Sequence, residues 1–290
     1  MQDGVINLLK PPAMTSHDAV GFIRGVLSQR RVGHAGTLDP FAAGVLPVCV
    51  GRATRLVEYL MGLDKCYLAR IKLGVSTDTH DITGRIESRQ CQLTVQRKEV
   101  EEALAKLAQQ TEQIPPRFSA LRVQGKRSYE RARQGEDFDL PARPVLIRCV
   151  RLVDYAAESG LVFMEVVCGK GTYIRSMARD LGQILGTGAV LTHLLRTFSG
   201  HFRLENAFTL EEVASGKEGV MLAPIEALAH LPSLGVTWAQ RERIAHGVAP
   251  VLDMPSAKTG SLCLVDPDGA LAAVAEHTAE RGLRLQKVFT

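Results

Sequence analysis

Gly33-His34-Ala35-Gly36-Thr37-Leu38-Asp39-Pro40-Phe41-Ala42-Ala43-Gly44 is the stretch on which the reading of this 290-residue chain turns. Its three glycines free the backbone for conformations that other residues avoid, and Pro40 biases Asp39 away from helical geometry. The pattern sets a carboxylate on a tight loop between two apolar elements. On the residues alone, an ordinary turn with Asp39 bonded to its own backbone explains the stretch as well. Upstream, residues 4–9 read as a strand running into the turn Lys10-Pro11-Pro12. Ser16 offers an N-cap for a helix in which Ala19, Val20, Phe22, Ile23, Val26 and Leu27 repeat at helical period to about Gln29. Downstream, 45–50 reads as a strand and 53–61 as a helix.

Residues 65–73 alternate as a strand does, with Tyr67, Ala69, Ile71 and Leu73 on one face and Cys66, Leu68, Arg70 and Lys72 on the other. A charged amphipathic helix over 94–109, opened by Thr94, precedes the break Ile114-Pro115-Pro116. Strands over 144–154 and 161–168 lead into Gly169-Lys170-Gly171-Thr172 and a helix from Tyr173 to about Leu185. Gly186 and Gly188 end it, and 189–198 reads as another strand. Arg175 falls in the first turn of its helix, where the macrodipole favours anions. A cation there calls for a partner carboxylate or a phosphate, unless Arg175 and Arg179 form a wet helix face. Gly169-Lys170-Gly171 is not a phosphate loop, because no Ser or Thr follows the lysine and the upstream glycine is missing. From about Leu231 the chain breaks into short segments with turn signals, such as Asp266-Pro267-Asp268-Gly269, which fits a small β-rich domain.

With 46% apolar and 23% charged residues, the chain can bury a real core, and its length suits two domains. No stretch approaches the roughly 20 apolar residues that span a bilayer, and the start lacks the basic residues of a signal peptide. The expectation is a cytoplasmic protein. Six cysteines show no Cys-x-x-Cys pair, so a zinc site lacks its usual signature and buried free thiols are expected. Net charge is only +4, yet residues 117–151 hold nine Lys/Arg against four Asp/Glu. Such a cluster is either a solvated surface or a phosphate-contacting element that gains affinity by releasing counterions.

Several motifs fall into one order. Lys10-Pro11 and Thr15-Ser16-His17-Asp18 come first, then Gly33 to Pro40 with Gly44-Val45-Leu46-Pro47. Asp64-Lys65-Cys66-Tyr67, Leu73-Gly74 and Thr77-Asp78-Thr79 follow. Lys170-Gly171-Thr172-Tyr173-Ile174-Arg175-Ser176, Asp180-Leu181-Gly182 and Leu194-Leu195-Arg196 complete the set. In these motifs, which span most of residues 4–200, the chain resembles the TruB family of bacterial tRNA pseudouridine-55 synthases. It departs at Ala13, where the family commonly has glycine.

The resemblance implies an α+β fold with a largely antiparallel mixed sheet and a central RNA-binding cleft over 1–231, followed by a PUA-like module over 232–290. The basic stretch, about 114–142, corresponds to a loop that closes on the T-loop of tRNA. Asp39 is implied as the essential carboxylate of an isomerisation that breaks the N1–C1′ bond and joins C5 to C1′, with no cofactor and no metal. Arg175 is its counter-charge and Tyr67 stacks on the target base. Tyr173 and Leu194 line the pocket, His34 stabilises the T-loop once the uridine has flipped out, and Lys10 and Arg196 are further substrate contacts. The implied partner is the T-arm of tRNA, bound by a monomer without a membrane or an obligate protein partner. Two rivals stand beside this reading. One is a non-catalytic RNA-binding protein or tRNA chaperone, for which the set Asp39, Tyr67 and Arg175 would be superfluous. The other is a hydrolase using Asp39 and His34, which lacks a serine or cysteine nucleophile in the loop.

Overall fold

The structure, a computed structural model, describes residues 3–90, 92–119, 121–123, 125–136, 138–251 and 259–289. Among these residues one sheet joins nine strands: β1 (Gly4–Lys10), β2 (Val32–His34), β3 (Ala43–Val50), β4 (Lys65–Leu73), β5 (Ile147–Ala156), β6 (Leu161–Cys168), β7 (Ala189–Ser199), β8 (Phe202–Arg203) and β9 (Met221–Leu222). Its path runs β5-β6-β4-β7-β3-β1-β9, with β2 against β3 and β8 against β7. The ladders are antiparallel apart from one short parallel contact, where β7 meets β3 with Leu195 opposite Ala43 and Arg196 opposite Gly44. That contact joins the two halves of the sheet.

Sequence pattern explains the layering. In β6, Val162, Met164, Val166 and Cys168 are buried while the alternate residues are half-exposed, as expected of a strand covered mainly on one face. β3 is buried along almost its whole length, and its unbroken apolar run marks a strand covered on both faces. One cover is the helical layer, α1 (Ser16–Val26), α2 (Arg97–Ala108) and α3 (Ile174–Ile184), whose apolar faces share a core with Ile6, Leu46, Tyr67 and Met164. The other is the C-terminal β-rich part. There β10 (Ser233–Gly235), β11 (Gly260–Val265), β12 (Leu271–Thr278) and β13 (Gly282–Val288) form a four-stranded sheet beside α4 (Trp238–Ala245). Cys263, Leu271, Val274 and Phe289 of this part pack on Val5, Val45 and Cys49.

Some expected boundaries move for identifiable reasons. Thr15, not Ser16, caps α1, in a capping box with Asp18, and the helix stops at Val26. Residues 51–56 are a 3₁₀ turn, and only Val57–Met61 is α-helical. α2 starts at Arg97 because Gln96 and Glu99 form its cap, so Thr94 stays outside. Arg143–Pro144 does not begin β5 but pairs with Glu112–Gln113. Cys49, Cys66, Cys168 and Cys263 are buried free thiols, whereas Cys149 is exposed, and Cys91 lies outside the described residues. Among the described residues no helix is long and apolar enough to cross a membrane.

Two small residues test this account of the backbone. Ala13 holds φ +61°, so the turn keeps a left-handed conformation that suits glycine although a Cβ is present. Ala13→Gly is expected to stabilise the protein by about 1 kcal/mol, read as a rise in the urea midpoint. Gly44 has φ +116°, and a Cβ there would stand 2.2 Å from the Arg196 carbonyl oxygen. Gly44→Ala is expected to cost about 3 kcal/mol or more. Gly33→Ala, whose Cβ would meet nothing within 4 Å, serves as the near-neutral control.

Candidate active site

The segment 35–42 bridges β2 and β3 and is fixed from several sides. Ala35 donates its N–H to the Pro47 carbonyl, and Gly36 turns the chain at φ +107°. Leu38 is buried, and both its N–H and its carbonyl are held by the Ser16 hydroxyl at 2.9 and 3.1 Å. Ser16 is free for this because Thr15 has taken over the cap. With Leu38 anchored inward, the next side chain, Asp39, faces outward and is 30% exposed.

Two buried cations, Arg196 and Lys10, support the loop from behind, and a third, Lys65, holds the turn before β4. Arg196, fully buried, donates Nε to the Val45 carbonyl at 2.6 Å, Nη2 to Gly36 at 3.1 Å and Nη1 to Thr37 at 3.5 Å. Lys10, also fully buried, donates Nζ to the carbonyls of Met14 at 2.6 Å, Pro11 at 2.7 Å and Pro40 at 3.5 Å. Lys65 donates to Leu63 and Met61. Burial, with Arg196 adding repulsion, pushes both lysine ammoniums down to about 8. The sequence reading made Lys10 and Arg196 substrate contacts. The structure instead turns their nitrogens onto backbone carbonyls and leaves neither with exposed surface, so both act as loop supports.

In front of the loop stands Arg175. Its Nε and Nη2 bond Asp39 Oδ2 and Oδ1 at 2.8 and 2.9 Å, a bidentate fork. Nη2 also donates to the Phe118 carbonyl at 3.0 Å and Nη1 to the Thr79 carbonyl at 3.3 Å. Nη1 lies 3.6 Å from Asp81 Oδ2. Four of the five guanidinium donors are thus hydrogen-bonded and the fifth faces Asp81 as an ion pair, and the side chain is 6% exposed. Two carboxylates therefore offset the unfavourable placement of a cation in the first turn of α3. Asp81 went unnoticed in the sequence. It is buried in the turn 79–83, where Oδ1 accepts the hydroxyls of Thr79 and Thr83 and the Thr83 N–H, so that Oδ2 is left for Arg175.

The remaining expected residues are divided between this centre and its surroundings. Tyr67 is 7% exposed and lies opposite Arg196 across the β4–β7 ladder. Burial raises its phenol pKa; contact with Arg196 opposes the rise and the charge of Asp39 adds to it. Tyr173 is half-buried and its phenol is likewise raised by burial, within the field of Arg175 and Asp39. Leu194 is buried opposite Ala69, in the same apolar cluster as Tyr67 and Leu38. His34 sits at the far root of the loop. Burial and the nearby Arg196 and His17 lower its pKa, and its Nδ1 is buried with no partner among the described residues. On the Arg175 side, a cleft of about 520 Å³ is lined by His80, Arg85, Phe118 and Arg179. Among the described residues no three His, Cys, Asp or Glu side chains group in a way that could hold a metal ion.

Comparison with known proteins fits this geometry. Residues 24–174 match the family model described as TruB family pseudouridylate synthase (N terminal domain), and residues 175–228 match tRNA pseudouridylate synthase B C-terminal domain. A relative from Symbiobacterium thermophilum named tRNA pseudouridine synthase B is 48% identical over 86% of this chain and 84% of its own length. One of the same name from Moorella thermoacetica is 42% identical over 94% of this chain and 93% of its own. Among solved structures, a Cbf5-Nop10-Gar1 complex contains a chain that superposes with a TM-score of 0.75 at 26% identity, over 99% of this chain and 85% of that one. The α+β architecture is thus the pseudouridine synthase fold, and this chain belongs to the TruB family of pseudouridylate synthases.

Proposed function

We propose that this protein converts uridine 55 in the T-loop of tRNA to pseudouridine, by flipping the base out and isomerising it at Asp39 without a cofactor. The observation that carries the reading is the bidentate Asp39–Arg175 pair, held on a loop whose other side is locked. A carboxylate with one partly exposed face, fixed by a guanidinium that is itself held by two backbone carbonyls, can meet a flipped nucleoside with little reorganisation. The relatives' shared name supplies tRNA as the substrate class.

In this reading Asp39 acts on the nucleoside while Arg175 keeps its oxygens aimed at the base or sugar. Tyr67 stacks on the uracil, and Tyr173 and Leu194 close the pocket around it. His34 stabilises the T-loop once the uridine has flipped out. Flipping costs a few kcal/mol of lost stacking, offset by contacts from the basic segment and from the C-terminal β-rich part. Arg175 spends four of its five donors inside the protein and turns the fifth toward Asp81, which favours a catalytic site over a pure RNA-binding surface, because an arginine serving phosphate would keep donors free.

An unmodified tRNA transcript tritiated at C5 of uridine tests the proposal. Wild-type protein, without added metal or cofactor, is expected to release tritium from the T-loop uridine. Asp39→Asn is expected to bind tRNA with unchanged affinity and release none; turnover by that variant would remove Asp39 from its role. Arg175→Lys keeps the charge but loses the planar fork. Its single-turnover rate is expected to fall about 100-fold or more, with tRNA affinity within about threefold. A loss of affinity as large as the loss of rate would make Arg175 a phosphate contact instead.

A further inference from the structure

The basic segment is closed at its root by the short ladder of Glu112–Gln113 with Arg143–Pro144, in which Gln113 lies opposite Arg143. The side chain of Gln113 is 3% exposed and reaches from this root to the start of α3. Its Nε2 donates to the Tyr173 carbonyl at 3.1 Å, and its Oε1 accepts the Tyr173 N–H at 2.8 Å. One amide thus exchanges two bonds with the N–H and C=O of one residue, as two antiparallel strands do. Tyr173 is held extended, at φ −105° and ψ 112°, as the residue before the first helical turn. It supplies no side-chain cap of its own, and its carbonyl also accepts the Met177 N–H.

Neighbouring contacts follow the same line. Ser176 donates its hydroxyl to the Ile114 carbonyl at 2.9 Å, and the Phe118 carbonyl accepts from Arg175 at 3.0 Å. Residues 113, 114 and 118 therefore grip residues 173, 176 and 175. The orientation of the Tyr173 peptide decides where the helix begins, and so where a first-turn side chain points. Only an amide side chain offers a donor and an acceptor in the spacing this peptide needs, and asparagine is one methylene too short.

We propose that Gln113 is a positioning residue for the reaction. Acting through Tyr173, it aims Arg175 at Asp39 and so ties the root of the basic segment to the reacting carboxylate. The kinetic consequence rests on the synthase reading above; the structural one does not.

Two variants separate the possibilities. Gln113→Met keeps length and removes both bonds, while Gln113→Glu keeps the acceptor and loses the donor. In nitrogen-15-labelled protein, the Arg175 Nε–H resonance, assigned by its absence in Arg175→Lys, is expected to be sharp and slow to exchange. It should broaden or vanish in Gln113→Met. In the same variant the single-turnover tritium release should fall by roughly 10- to 100-fold, with tRNA affinity within about threefold, and Gln113→Glu, which sets a carboxylate oxygen against the Tyr173 carbonyl, should fall at least as far. An unchanged resonance and rate in a folded variant overturns the proposal. So does a rate loss matched by an equal loss of tRNA affinity, which makes Gln113 an RNA contact. If Gln113→Met does not fold, Gln113→Glu decides by the same readouts, and failure of both to fold reduces Gln113 to a structural role. Should wild-type protein release no tritium, the synthase reading falls while the resonance still decides for or against Gln113.

Discussion

A guanidinium with no exposed surface, that of Arg196, sets the shape of everything around it. Burying such a charge costs many kcal/mol unless hydrogen bonds replace its water. The acceptors are the Gly36 and Thr37 carbonyls, where the chain has left the ladder, and the Val45 carbonyl near the start of β3. The dependence is mutual. The loop keeps its form because Arg196 needs those carbonyls, and Arg196 tolerates burial because the loop presents them. Gly44 lets the two backbones approach closely enough for the exchange. Lys10 and Lys65 repeat the same chemistry on either side.

Fixing the loop from behind frees its front for function. Asp39 uses both oxygens on Arg175 yet keeps part of its surface open. Arg175 in turn is shared by Asp39 and Asp81 and by two carbonyls, so removing it would leave one buried carboxylate and one partly buried one without their counter-charge. Losing one partner of such a pair costs about 3–5 kcal/mol.

Strands that alternate, such as Lys65–Leu73 and Leu161–Cys168, were legible in the sequence to the residue, because a period of two needs only local information. Asp39 and Arg175 stood out as a carboxylate on a glycine-rich turn and a cation against a helix dipole, and the resemblance to a family joined them. What the sequence hid depends on distant acceptors. A lysine or arginine looks solvent-facing until carbonyls from separate segments converge on it, and the resemblance that made Lys10 and Arg196 substrate contacts carried no sign of that burial. Gln113 has no local signature, since the peptide it binds lies 60 residues away. Asp81 was masked in the same way by its Thr-rich turn. Helix ends shifted by a few residues where competing caps were available, as with Gln96 over Thr94.

The bond from Arg196 to the Val45 carbonyl spans 151 residues. A ribosome adding roughly 5–20 residues per second delivers Arg196 about 8–30 s after Val45. Throughout that interval β1, β3 and the loop between β2 and β3 exist without the cation that organises them, and β3 has an unpaired edge where β7 will lie. The nascent chain thus carries an unfinished candidate site until the last third of its synthesis. A chain cut short before β7 would hold the Asp39 loop without the guanidinium that organises it.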